Sequence, residues 1–325
     1  MPFQNPESRI KVGVSSCLLG EKVRWDGNHK LDRTVKDGLG RLFEWVPTCP
    51  EVEIGMGIPR EAVQLTGSSK SPRLVGTESA TDWTQHMIRY ANKRSRELMK
   101  LGVCGYIFKN RSPSCGITRI PVTGKSGKTK RSGRGLFAES FMRQCALVPV
   151  EDEGRLHDAR IRENFITRVF AYHRLAHLLK GRLSHKALVE FHTAHKCLLM
   201  AHSREKKAAL DKLMARSRSL PPSQLKIRYA ERFMHTLSFK TTAKKNTDVL
   251  YHMLRVLKKS LSEAEKQNLI QTIESYRNGS ASLAKPVTLI KRHAHKHKVD
   301  DLANQAYLSP SPALYRAGNL LTANY

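Results

Sequence analysis

Near residue 156 the hydrophobic rhythm of the chain changes, and this change limits the possible folds more than any other feature. Before it, short apolar runs end in turns rich in Gly, Pro and Ser: IKVGVSSCLLG, LFEWVPTCPEVEIGMGIP and CGYIFKNRSPSCG. Each reads as a buried strand running into a loop. Between them, Trp83, Met87, Ile88, Tyr90 and Met99 recur near helical spacing, predicting a helix within 81–101. The stretch GLFAESFMRQCALVPVEDEG predicts one more helix and a last short strand. Such alternation implies an α/β fold, here a Rossmann-like open sheet. Gly124 to Gly135, GKSGKTKRSGRG, has no apolar residue and is expected to be a mobile basic loop.

From Asp158 onward the periods lengthen, as in DARIRENFITRVFAYHRLAHLLKG and SHKALVEFHTAHKCLLMAHS, and strand signals nearly vanish. Ser184 is placed to cap the start of one helix and Gly279 the end of another. The expected division is an α/β domain over 1–156 and an all-helical domain over 157–325.

Fifty-seven Lys and Arg stand against 28 Asp and Glu, a formal charge of +29. The basic residues are spread through both halves, so no detachable tail explains them. A surface of this kind seeks a polyanion, and nucleic acid is the expected partner ahead of an anionic membrane surface. No apolar run reaches the roughly 18 residues a membrane helix needs, and the N-terminus has no secretory h-region. The expectation is a cytoplasmic protein without membrane insertion, whose six cysteines need not pair.

Cys17, Cys49 and Cys115 are far apart in sequence, yet each follows a predicted strand in a tight turn. The carboxyl ends of parallel strands form one crevice, so three such loops can meet there. Pro50 and Pro113 stiffen the backbone beside two of these thiols, while Gly20 and Gly116 let the main chain come close. Three thiolates could hold zinc with a water, or an iron-sulfur cluster with one open iron. Cys104, Cys145 and Cys197 lie in apolar stretches and read as small buried hydrophobes. In the helical half, His192 and His195 lie three apart, but no further ligand completes a metal site. KRHAHKHK at Lys291 to Lys298 reads as a phosphate-contacting strip.

The blocks SSCLLG, VRWDG, TCPEVEIGMGIPRE and KNRSPSCG occur in order. With them the first half, about residues 8 to 150, resembles the thiouracil desulfurase family, although Trp25 stands where that family usually has Tyr. The second half, with EFHTAHKCLLMAHS at Glu190 to Ser203 and QAYLSPSP at Gln305 to Pro312, resembles the helical domain fused to such desulfurases. The combination is similar to tRNA 4-thiouridine desulfidases. The resemblance implies a 4Fe-4S cluster held by Cys17, Cys49 and Cys115, with one iron open to the substrate's sulfur.

It further implies a hydrolytic exchange of sulfur for oxygen on a thiolated uridine of tRNA, which needs a base for water and a proton donor. Glu51 is the candidate base, with Glu44 in reserve, and Ser112 is the candidate hydroxyl beside the site. Arg24, Asp26 and Lys109, in matching blocks, are candidates for contacting the nucleotide. Two other readings are a desulfurase of free 2-thiouracil and a non-catalytic RNA-binding module holding zinc.

Overall fold

The computed structural model describes residues 9–124, 126–181 and 183–309. It comprises two compact units that divide between Phe165 and Ile166. The division falls inside a helix, Ala159–Leu178, which begins just after residue 156.

The first unit contains eight strands: β1 Ile10–Ser15, β2 Phe43–Thr48, β3 Val63–Ser68, β4 Ser71–Gly76, β5 Tyr106–Phe108, β6 Ile120–Thr123, β7 Thr129–Gly133 and β8 Val150–Asp152. Its helices are α1 Pro50–Glu53, α2 Thr84–Lys100, α3 Leu136–Gln144 and α4 Glu153–Leu156. The expected open α/β sheet is present as four parallel strands in the order β2-β1-β5-β8. The chain passes from β1 to β2 on one side and later returns to β5 on the other. The strand order therefore reverses beside β1, where open sheets form their ligand crevice.

Tyr106 and Phe108 of β5 pack with Phe137 and Phe141 of α3, with ring centroids 4.0 to 6.4 Å apart. All four rings are fully buried. Burying side chains of this size contributes on the order of 2–3 kcal/mol each and fixes β5 against α3.

A second sheet, β4-β3-β6-β7, was not expected from the sequence. The segment expected to be a loop contains β7, which pairs antiparallel with β6 from Thr123↔Thr129 to Ile120↔Gly133. Four of its five residues are exposed, so backbone bonding alone makes it a strand. Lys125, in the same segment, lies outside the described residues.

The second unit is helical, as expected. After α5 Ala159–Leu178 come α6 His185–His202, α7 Arg204–Ala215, α8 Pro222–Ser238, α9 Ala243–Leu257, α10 Glu263–Arg277, α11 Ala284–Lys296 and α12 Asp300–Ala303. Ser184 accepts a hydrogen bond from Ala187 N, capping α6. Asn278 ends α10, and Gly279 follows it at φ +84°, the left-handed position a glycine fills at low cost. The α6 helix packs on α7, α8 and α9, around Phe191, Tyr229, Phe233, Leu250 and Met253. The end of the QAYLSPSP block, from 310 on, lies outside the described residues. Among the described residues no helix is long and apolar enough to cross a membrane.

Candidate metal centre and its surroundings

The parallel register sets the site. Ser15 is level with Thr48, and Phe108 is level with Asp152. Whatever follows these residues emerges at one edge of the sheet: Cys17 two residues past β1, Cys49 directly past β2, Lys109 directly past β5 and Glu153 directly past β8. Cys115 ends the loop that Lys109 begins.

Cys17 sits in a 3₁₀ turn, Ser16–Leu19, closed by Gly20 at φ +95° with its N–H on Cys17 O. Cys49 is the N-cap of α1 with Pro50 at N1, and its amide donates to Glu53 Oε1 at 3.0 Å. Its Sγ points to Val23 O at 3.6 Å. The Cys115 turn is closed by Ser112, whose Oγ accepts from Ser114 N and Cys115 N at 3.2 and 3.0 Å. At Gly116 a Cβ would lie 2.8 Å from Ser112 O, so only glycine fits that turn undistorted.

These three thiols are within electrostatic reach of one another. Burial, then the neighbouring Cys49, pushes the Cys17 thiol up to about 12. Burial also raises Cys49, and it raises Cys115 well above the usual thiol range, with Glu51 and Cys49 adding to the shift. Thiols crowded this way stay protonated until a cation compensates them, which is the electrostatic setting of a metal centre. Three soft thiol donors of this kind suit zinc or an iron-sulfur centre.

Glu51 is at this edge, in the first turn of α1, and lies close enough to influence Cys49 and Cys115. Its Oε2 is gripped by Arg60, with Nε at 3.2 Å and Nη2 at 2.5 Å. Arg60, only 4% exposed, also donates to Val23 O and Gly57 O. It therefore ties the carboxylate to the loop that carries Cys17 onward to β2. Arg60 was not among the sequence candidates, although it stands in the IPRE block; a bridge between distant loops leaves no local pattern.

Glu153 was missed as well. Its two oxygens accept from Lys109 Nζ and, at 2.8 Å, from Asn110 N. Lys109 gives its other ammonium bonds to Asn110 O and Oδ1, at 3.1 and 2.6 Å. All three donors of a lysine are then engaged within the protein. Lys109 thus stands beside Cys17 as a held charge rather than a free substrate contact. Ser15 Oγ accepts from Lys109 N at 2.9 Å, fastening the β1 and β5 ends together. The Ser112 oxygen is taken up by the Cys115 turn. Arg24 and Asp26 pair with each other at 3.2 Å on the loop after Cys17.

Glu44 corrects an expectation. It lies at the start of β2, half-exposed and 4.0 Å from Lys11. Four residues of strand, about 13 Å, separate it from the last residue of β2, so it cannot serve this site. Cys104 precedes β5 at the opposite edge, with its N–H on Lys11 O; Cys145 ends α3, and Cys197 is buried in α6.

In the helical unit His192 and His195 are packed. His192 bonds Asp211 at 2.9 Å and Tyr229 at 3.3 Å, and His195 stacks on Phe191 and bonds its carbonyl at 2.7 Å. KRHAHKHK proves to be divided rather than one strip. Helical turning buries His293 and Ala294 while Arg292, His295, Lys296 and Lys298 face outward.

Residues 12–153 match the 2-thiouracil desulfurase family, and residues 196–312 match a family described as protein of unknown function (DUF1722). The chain is 32% identical over 150 residues to uncharacterized protein YbbK of Bacillus subtilis (strain 168), covering 45% of this chain and 97% of that protein. It is 27% identical over 154 residues to uncharacterized protein YbgA of Escherichia coli (strain K12), covering 47% and 91%. Among solved structures it is similar to the 4Fe-4S-dependent thiouracil desulfidase TudS, at 30% identity and TM-score 0.40, over 48% of this chain and 98% of that one. With its ordered blocks and its three cysteines at the carboxyl edge of the parallel sheet, this chain belongs, through its α/β unit, to the 2-thiouracil desulfurase family.

Proposed function

We propose that the protein is a tRNA 4-thiouridine desulfidase that replaces the sulfur of the base by oxygen. The observation that carries this reading is the convergence of Cys17, Cys49 and Cys115 from three loops at the crevice edge of the sheet. These thiols would hold a 4Fe-4S cluster, the cofactor named for the similar desulfidase TudS. With three protein ligands, such a cluster would supply a soft Lewis acid for a thiocarbonyl sulfur.

The protein's own residues supply the rest. Glu51 is the base that takes a proton from the attacking water; Arg60 holds Oε2 and leaves Oε1 outside its grip. Ser112 positions Cys115 through two backbone bonds, and its O–H remains a donor toward the base edge. The held Lys109 charge lowers the cost of negative charge beside Cys17. Arg24 and Asp26, on the loop after Cys17, would meet the nucleotide by exchanging their mutual pair for contacts to it.

The charge of +29 supports tRNA as the carrier of the base. Basic residues of the helical unit would grip phosphates, and a stacked thiouridine would be turned out at a cost of a few kcal/mol. A second reading, desulfurisation of free 2-thiouracil, is favoured by the family's own description. The deciding experiment is anaerobic reconstitution with iron and sulfide, then parallel assays of sulfide release from bulk thiolated tRNA and from 2-thiouracil. Faster release from tRNA supports the proposal; release from the free base alone replaces it with the second reading.

A further inference from the structure

The capping residue Glu265 at the start of α10 faces two histidines one turn apart, His293 on α11 and His297 at its C-cap. Glu265 Oε1 lies 3.6 Å from His293 Nδ1, and Oε2 lies 3.3 Å from His297 Nε2. The three donor atoms all lie within 4.8 Å of one another. His293 is 95% buried along its side chain, exposed only 5%, and its Nδ1 has no hydrogen-bond partner; the buried Nε2 of His297 has none either. A buried ring nitrogen without a partner is destabilising, so two aimed at one carboxylate require an explanation.

An ordinary ion pair does not provide it. Charge-assisted N–H to carboxylate bonds close to about 2.7–2.9 Å, well inside these separations. Two donors bound at about 2.0–2.1 Å to one tetrahedral ion are instead roughly 3.3–3.4 Å apart. Histidines at i and i+4 share one helix face, and a carboxylate from a neighbouring helix completes a facial set of three.

We propose that Glu265, His293 and His297 form a divalent transition-metal site, most readily for Zn²⁺, joining α10 to α11. This site is separate from the cysteine centre and does not rest on the proposed desulfurisation. Glu265 keeps its capping role, since Oε2 also accepts from Ser262 N at 2.9 Å. Lys296 Nζ sits 2.6 Å from Oε1 and is the resident competitor for the metal. Its side chain is 61% exposed, so it can swing into solvent when an ion arrives. Three protein ligands leave a fourth position for water.

Calorimetric titration of cluster-loaded full-length protein with Zn²⁺ tests the proposal, because the cysteine site is then filled. One equivalent is expected, with a rise in Tm that follows zinc concentration by mass action. His297→Gln should weaken that binding by at least the roughly 10–100-fold seen on losing even a supporting partner, with iron content unchanged. Lys296→Ala, which removes the competitor from an exposed position and leaves the fold alone, should tighten it. Absence of zinc uptake by both the unaltered protein and Lys296→Ala would overturn the proposal, as would equal uptake by His297→Gln.

Discussion

Glu51 and Arg60 show how a single ion pair can tie chemistry to architecture. At 2.5 Å and nearly buried, the pair carries two functions that substitution can separate. Glu51→Gln should keep the cluster, because the thiols are untouched, while turnover falls by about 10²–10⁴ if the carboxylate is the base. Unchanged turnover with full iron content would remove Glu51 from the mechanism. Arg60→Ala should act on stability instead: it leaves Glu51 and the carbonyls of Val23 and Gly57 without their donor, a loss of roughly 3–5 kcal/mol readable as a fall in Tm. The cysteines were legible in sequence because the turn chemistry around them, Pro50, Pro113 and Gly116, is local. Arg60 and Glu153 were not, because Arg60 reaches back to the Val23 loop and Glu153 acts on Lys109, which only the β5–β8 register brings near.

At the scale of elements, periodicity picked out the parallel sheet and the long helices but not β3, β4 or β6. It failed at β7, where four of five side chains are exposed and pairing with β6 is entirely a backbone matter. It also failed to divide KRHAHKHK, since a polar run read as letters conceals the helical face that turns His293 inward. The helical unit's buried histidines carry a pH consequence. Burial pushes His202 down to about 4 and His195 down to about 3. The unfolded chain would take up these protons near 6.5, so below that pH it binds more protons than the folded state. Stability from these groups is complete above about 6.5 and drains away as pH falls toward 4, by roughly 3 kcal/mol for His202. Thermal unfolding followed from pH 7 to pH 4 should show the loss, and His202→Gln should flatten it. A pH-independent Tm over that range would contradict this reading of the histidines.

For the whole molecule, the two units are two kinds of surface on one chain: a sheet edge lined with thiols and a helical unit rich in Lys and Arg. If tRNA is the partner, its binding should weaken steeply with salt, with log K falling linearly in log salt at a slope near 0.9 per phosphate neutralised for duplex regions. Affinity insensitive to salt between 50 and 200 mM would leave the charge of +29 without this explanation. The proposed desulfurisation depends on the cysteine centre. The most direct test is the iron content of anaerobically reconstituted single Cys→Ala variants at each of the six cysteines. About four irons per chain are expected for the unaltered protein and for the Cys104, Cys145 and Cys197 variants, with loss of the cluster and of sulfide release in the Cys17, Cys49 and Cys115 variants. Full iron content in any of these last three, or its loss in the other three instead, would contradict the account.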